Sequence, residues 1–221
     1  MGIKAFNHGD DFVNKFVKAI TSDSTGLDAV TPKPGSTGHT ATGGSINEYS
    51  VGNNVYRSHT FTTSGAFAVT KIGDFGSNVD VILVGGGGAG GSGDTGSRWS
   101  GGGGGAGGFI NLPGHPISAT SYPIVIGGGG NCGAIGPNGT RSSSGTNTTG
   151  FSSTAYGGGG GGTRAINNTP QQTGAAGASG GGASGQNYGN NGTVTKGSTN
   201  RPLQGNPGGC LLYTSPSPRD S

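Results

Sequence analysis

Long glycine runs constrain this chain more than any other feature. Glycine supplies 54 of its 221 residues, and they come in blocks rather than at regular intervals. Residues 85–93, 101–108, 127–130, 157–162 and 174–185 carry almost no side chain. A tract without side chains has nothing to bury, so it cannot make an oily core. Ordering glycine also loses more backbone entropy than ordering alanine, by about 0.5–1 kcal/mol per residue. Such tracts are therefore either flexible linkers or segments held by their own backbone hydrogen bonds.

Two features favour order. Blocks of similar length recur with connectors between them, as returning segments require. Two of them also follow directly from apolar runs, 79–84 into Gly85 and 122–126 into Gly127. An extended left-handed helix with about three residues per turn and a rise of about 3.1 Å per residue leaves its N–H and C=O groups pointing outward. Helices of that kind can bond to one another when no side chain intervenes. We therefore expect a bundle of polyglycine II-type helices, with alanine and serine at outward positions. A block of eight residues would span roughly 25 Å.

Composition narrows the class. Only 28% of residues are hydrophobic and 10% are charged, and the net charge of +3 is spread over 12 basic and 9 acidic residues. No basic patch implies nucleic acid as a partner. No apolar stretch approaches the ~20 residues of a membrane helix, so no membrane insertion is expected. Residues 1–20 do not read as a signal peptide, because Asp10, Asp11 and Asn14 interrupt any apolar segment.

Along the chain, residues 1–30 form an N-terminal segment with one short α-helix at 10–20, where Phe12, Phe16 and Ile20 share a stripe. Residues 31–45 read as a linker rich in proline and glycine. Residues 46–209 form the glycine-rich domain, with a β base over 46–126 and the glycine bundle from 85 onward. Runs 56–62 and 66–70, split by Thr63-Ser64-Gly65, predict a hairpin. Run 79–84 reads as a strand buried on most of its surface, and 109–112 and 122–126 as further strands. Pro123 confines the last of these to an edge or strand end. The expected fold class is mainly β and irregular: a small antiparallel sandwich-like base, the glycine bundle and one short helix. After Gly127 the large apolar residues, Phe151 among them, are isolated. Residues 210–221 (CLLYTSPSPRDS) share no composition with the rest and read as translated sequencing adapter, which puts the natural C-terminus beyond about residue 209 and leaves Cys132 as the one natural cysteine.

The strand-to-glycine junctions carry a resemblance. His59–Val69, followed by Val79–Val84 running into Gly85-Gly86-Gly87-Gly88-Ala89-Gly90-Gly91, resembles the opening of the glycine-rich domain of phage tail-fibre and adhesin-like proteins, a domain similar to one in the anaplastic lymphoma kinase receptor. Tyr122–Gly130 and Phe151–Gly162 resemble its second and third signatures. The resemblance covers about residues 49–209. It implies a β-rich base, a polyglycine II bundle, and tip loops that bind bacterial surface receptors. This chain lacks long aromatic-rich tip loops. The resemblance implies a virion protein of the phage tail, made in the host cytoplasm. Its implied partners are other virion tail proteins and a bacterial surface glycan or outer-membrane protein, with homo-oligomerisation compatible.

Catalytic chemistry is not expected. Gly85–Gly90 matches G-x-G-x-x-G after a strand, but no helix can start in the side-chain-poor residues that follow, as a dinucleotide site requires. His8, His39, His59 and His115 sit in different segments, and Cys132 lacks a CxxC partner, so neither a metal nor a cofactor is expected. The candidate ligand-binding residues lie in the connectors: Asp94, Arg98 and Trp99, then Arg141, Tyr156, Arg164 and Tyr188. A tryptophan can stack on sugar or aromatic groups, and the surrounding Asn, Ser and Gln suit polar recognition of glycans. We expect a non-enzymatic phage structural protein that presents polar loops on a rigid scaffold for host-surface binding. A purely structural virion spacer or decoration protein is the alternative, and an extracellular bacterial glycine-rich matrix protein is a third.

Overall fold

A computed structural model describes residues 37–52, 54–93, 100–134, 140–163, 169–184, 198–199 and 203–209. The helix expected at 10–20 and the tail at 210–221 lie outside these residues.

The described residues form nine strands, β1 Thr40–Thr42, β2 Ser45–Val51, β3 Asn54–Thr60, β4 Gly65–Lys71, β5 Asn78–Val84, β6 Phe109–Pro116, β7 Ser121–Ile124, β8 Thr148–Gly150 and β9 Ser153–Ala155, with one four-residue helix, α1 Thr169–Gln172. They make a three-stranded sheet in the order β1-β4-β7 and three two-stranded sheets, β2-β3, β5-β6 and β8-β9, all antiparallel. The base is thus a set of small antiparallel sheets. Period-2 alternation sends Phe67 and Val69 of β4 inward, with Ala41, Ile117 and Ile124. The same alternation sends Val81 and Leu83 of β5 against Ala155.

Several expectations need correction. The runs around β3 and β4 do not form a hairpin with each other. β3 folds back on β2 through a two-residue turn with Gly52 at φ +59°, whereas β4 pairs with β1 and β7. β5 is buried on one face only: Ile82 and Val84 point outward, because β5-β6 is a ribbon with a single covered face. Residues 37–45, read by composition as linker, contain β1, and Thr37 is tied to the loop after β4. Nor is Phe151 isolated. It packs against both apolar clusters, stacked on Tyr122 and edge-on to His115. Pro123 does sit on an edge strand, opposite Ala66.

Thr37 is held by Asp74, whose carboxylate accepts from the Thr37 N–H at 2.8 Å and from its hydroxyl. Those bonds stabilise the charged form and hold the Asp74 carboxyl below its ordinary value of 3.8. A depressed carboxylate contributes stability above its unfolded value and loses that contribution as pH falls through the folded one. The Thr37 amide resonance should therefore titrate with a midpoint below 3.8. A midpoint at or above that value would remove the Thr37–Asp74 tie.

The strands lead directly into the glycine tracts. Val84 pairs with Phe109, and the next residues continue the ladder with Gly85 N–H donating to Gly108 C=O at 2.8 Å. Five tracts run to or from the base, 85–93, 100–108, 127–134, 140–147 and 157–163; a sixth, 174–184, turns back on itself near Ala178, and 203–209 lies alongside. Their bonds advance in steps of three residues. Gly85, Gly88 and Gly91 donate to Gly108, Gly105 and Gly102, and these in turn donate to Tyr156, Gly159 and Gly162. Thr140, Ser143 and Thr146 donate to Ala134, Asn131 and Gly128. Gly158 and Gly161 donate to Gly86 and Ala89, while Gly159 and Gly162 donate to Ser179 and Gly182. Successive residues of one tract thus bond to different neighbours.

The fifth tract, 157–163, is central and buried throughout. Each of its N–H groups donates: Gly157 to Asn147 Oδ1, Gly160 to Ser144 Oγ, Thr163 to Gln171 C=O, and the rest as above. A net ~1 kcal/mol per hydrogen bond, shared between two partners, is comparable to the extra entropy of ordering a glycine, about 0.5–1 kcal/mol. The bonds thus offset glycine's excess over alanine but not the ~1–2 kcal/mol of ordering any backbone residue, so the tracts depend on the apolar base to fold.

The spacing of glycine follows the number of covered faces. In the third tract a Cβ at Gly127, Gly130 or Gly133 would overlap a backbone carbonyl, whereas Gly128 and Gly129 have room and Asn131 and Cys132 carry side chains. One face in three is covered there. In the second tract a Cβ would overlap backbone at Gly101, Gly102, Gly104, Gly105 and Gly107, but meets nothing at Gly103, and Ala106 lies three residues on. Two faces in three are covered. In the fifth tract every position from Gly157 to Gly162 would overlap a carbonyl, and the run is unbroken.

Candidate functional site

The first five tracts each start or end at the base, and the sixth turns back near it at Ala178, with Gly181 donating to Ala175 and Ser184 to Gln172, so the other ends meet at a far end remote from the strands. Small polar side chains lock the tracts together there. Ser92 N–H donates to Thr163 Oγ1 at 3.3 Å, and Ser92 Oγ donates to Gly133 C=O at 2.8 Å. Gly133 N–H donates to Ser142 Oγ, which donates its own proton to Gly90 C=O, both at 2.8 Å. The Ser142 and Thr163 hydroxyls are 3.4 Å apart. With its one proton spent on Gly90, Ser142 can only accept there, so Thr163 is the donor. Thr163 N–H donates to Gln171 C=O, Arg141 N–H to Gln171 Oε1, and Ser184 N–H to Gln172 C=O. Ser142, Thr163, Gln172 and Ser184 are buried. Buried hydroxyls and amides are tolerated only when bonded, and these bonds tie the first, third, fourth, fifth and sixth tracts into one plate.

The connectors leave from that plate. Segments 94–99, 135–139 and 164–168 join tract ends that meet there, and 185–197 starts from Ser184. The plate can hold the roots of four connectors in fixed positions.

Of the residues singled out by sequence, Asp94, Arg98, Trp99, Arg164 and Tyr188 lie outside the described residues, each in a segment rooted at the far end. Arg141 is described. It is exposed beside buried Ser142, with its backbone fixed by Gln171. Tyr156 does not belong with it. It sits at the strand end, where its N–H donates to Gln204 Oε1 at 3.0 Å and its C=O accepts from Gly108. Its backbone role there is in the joint between the base and the lattice. Sequence reasoning missed Ser92, Ser142, Thr163, Gln171, Gln172 and Ser184. The available signal was positional and partial: Ser92 and Ser184 stand at the ends of glycine tracts and Thr163 follows Gly157–Gly162, whereas Ser142, Gln171 and Gln172 adjoin no glycine.

The described surface includes two shallow depressions among others. One of about 320 Å³ is walled by Gly101–Gly104, Gly180, Gly182, Ala183 and Gly209, so it offers backbone groups alone. The other, about 450 Å³, lies beside the β8-β9 turn and is lined by Tyr122, Pro123 and Thr149–Thr154. Among the described residues no three His, Cys, Asp or Glu side chains converge as metal ligands, and no helix is long and apolar enough to cross a membrane.

Comparison with known proteins gave one match. The sequence model described as a glycine-rich domain matches residues 61–216. No curated protein and no solved structure matches the chain.

Proposed function

This chain belongs to the glycine-rich domain family, and on that premise we propose that it is a non-enzymatic presentation scaffold of a phage tail, tail-fibre or adhesin-like, whose far-end connectors bind a bacterial surface glycan or outer-membrane protein. In this reading the tracts are polyglycine II-type helices. Support comes from the three-residue step of their hydrogen bonds, the period of a helix with about three residues per turn. The observation that carries the proposal is the polar plate at the far end, which roots four connectors on buried, mutually bonded side chains. Recognition loops on rigid roots lose less entropy when they bind.

Binding of the labelled full chain to a panel of bacterial cells tests this. Connectors 94–99, 135–139 and 164–168 are replaced by glycine-serine segments of equal length, leaving the tracts untouched. Cell binding should fall at least tenfold while amide protection of the tracts stays as it was. Unchanged binding, or none by the parent chain, would make the molecule a structural spacer of the particle.

A further inference from the structure

The β2-β3 hairpin stands apart from everything that holds the rest together. Neither strand contributes a side chain to either apolar cluster, and among the described residues no backbone–backbone hydrogen bond joins the pair to the rest. Its anchor is at its root, where His59 Nδ1 lies 2.7 Å from Gly43 C=O and the ring meets Phe67 edge-on. All of β2 is exposed, and Ile46, Tyr49, Val51 and Val55 are each about half exposed or more. An isolated two-stranded ribbon is marginal in water, and its open edges are templates for further pairing.

The register says which backbone groups are open. Val51 and Asn54 flank the two-residue turn, so they form a hydrogen-bonded pair, and the pattern alternates from there. Ile46, Glu48 and Ser50 therefore turn their N–H and C=O groups to the outer edge of β2. Val55, Arg57 and His59 do so on the outer edge of β3. Each edge thus carries one charge at its centre, of opposite sign. Within the hairpin Glu48 and Arg57 already form an exposed ion pair across the strands, and Tyr49 stacks on Tyr56.

We infer that the hairpin docks on further copies of this chain, with the β2 edge of one pairing antiparallel to the β3 edge of the next. In this register Glu48 faces the neighbour's Arg57, Ile46 faces its His59 and Ser50 faces its Val55. Every Glu48 is then flanked by two arginines. The alternative of like edges meeting across a two-fold axis sets Glu48 against Glu48, a destabilising like-charge pair, or against Ile46 or Ser50, where it faces no opposite charge. Opposite edges meeting head to tail close into a ring only with more than two copies. The inference concerns assembly at the base and stands whether or not the far end binds a receptor.

Sedimentation of the full chain at tens of micromolar tests it. The expected species is an oligomer of three or more copies. Glu48→Arg should dissociate it, and adding Arg57→Glu in the same chain should restore it, since the exchange recovers opposite charges on both edges. Ser50→Pro should also dissociate it, because the Ser50 N–H points to the open edge and is not used inside the hairpin. Unchanged amide protection in the glycine tracts of each variant separates lost assembly from lost folding. A monomeric parent chain, a species of two copies, or an oligomer indifferent to Glu48→Arg and Ser50→Pro would overturn the inference. So would a monomer that assembles only when residues 1–36 are removed, which would make that segment the occupant of the edges.

Discussion

Gly159→Ala is expected to destabilise the protein by about 3 kcal/mol or more, whereas Gly103→Ala should stay within about 0.5 kcal/mol of the parent. The two substitutions are chemically identical, and both glycines lie in tracts without side chains. They differ in what a new Cβ meets. At Gly159 it would overlap the Ala175 carbonyl and crowd the Gly181 amide; at Gly103 it meets nothing within 4 Å. Overpacking ordinarily costs about 1–3 kcal/mol because neighbouring side chains yield. Around Gly159 no side chain can yield. The neighbours are backbone, and moving one tract strains its bonds to the others, since Gly159 itself donates to Ser179 and accepts from Gly105. Chemical denaturation of both variants beside the parent checks this. Equal stability of the two would mean that the tracts are not packed against one another.

Phe151→Ala should cost about 3 kcal/mol, the lower end of the range for removing a packed aromatic ring, while Phe75→Ala should change stability by less than about 0.5 kcal/mol. Phe151 is the first residue of the β8-β9 turn, at φ +50°, with Ser152 at φ +56°. A positive φ is uncommon for a bulky side chain, so the turn is held against a local preference. The ring compensates: its centroid is 5.0 Å from that of Tyr122, 5.4 Å from His115 and 5.9 Å from Phe67, and it touches both apolar clusters. Losing the ring removes the larger of the two side chains, Phe151 and Val79, that pack against both clusters, and leaves the backbone strain in place. Phe75 is equally large but 63% exposed. Thermal unfolding of the two variants separates burial from size; equal shifts would contradict the joining role.

Much of the base was legible where alternation and glycine junctions coincide. The run at 79–84 is a strand that passes straight into its tract, the run at 122–126 is a strand as far as Ile124 with Val125 bridged to Thr149, and Pro123 lies on an edge. Strand partners were not legible. The Thr63-Ser64-Gly65 turn signal is real, yet β4 pairs with β1 and β7, because pairing is set by which faces can share a core far away in sequence. Phe151 looked solitary for the same reason. The tracts were legible as ordered blocks, but reading the step between glycines would have said more. Gly127, Gly130 and Gly133 mark one covered face, and the unbroken run 157–162 marks a tract with all faces covered. At the far end, Arg141 was found for its charge. Ser142, one residue on, holds the plate together through a hydroxyl that only three-dimensional proximity to Gly90 and Gly133 explains.

Residue-resolved amide hydrogen exchange in the intact chain tests the backbone lattice most directly. Gly158, Gly159, Gly161 and Gly162 donate to carbonyls of two other tracts at 2.8–2.9 Å, and they should exchange as slowly as Val81 and Leu83 in the apolar base. Exchange of these four glycines at the rate of an unstructured peptide, with Val81 and Leu83 still protected, would show that the base folds without a lattice.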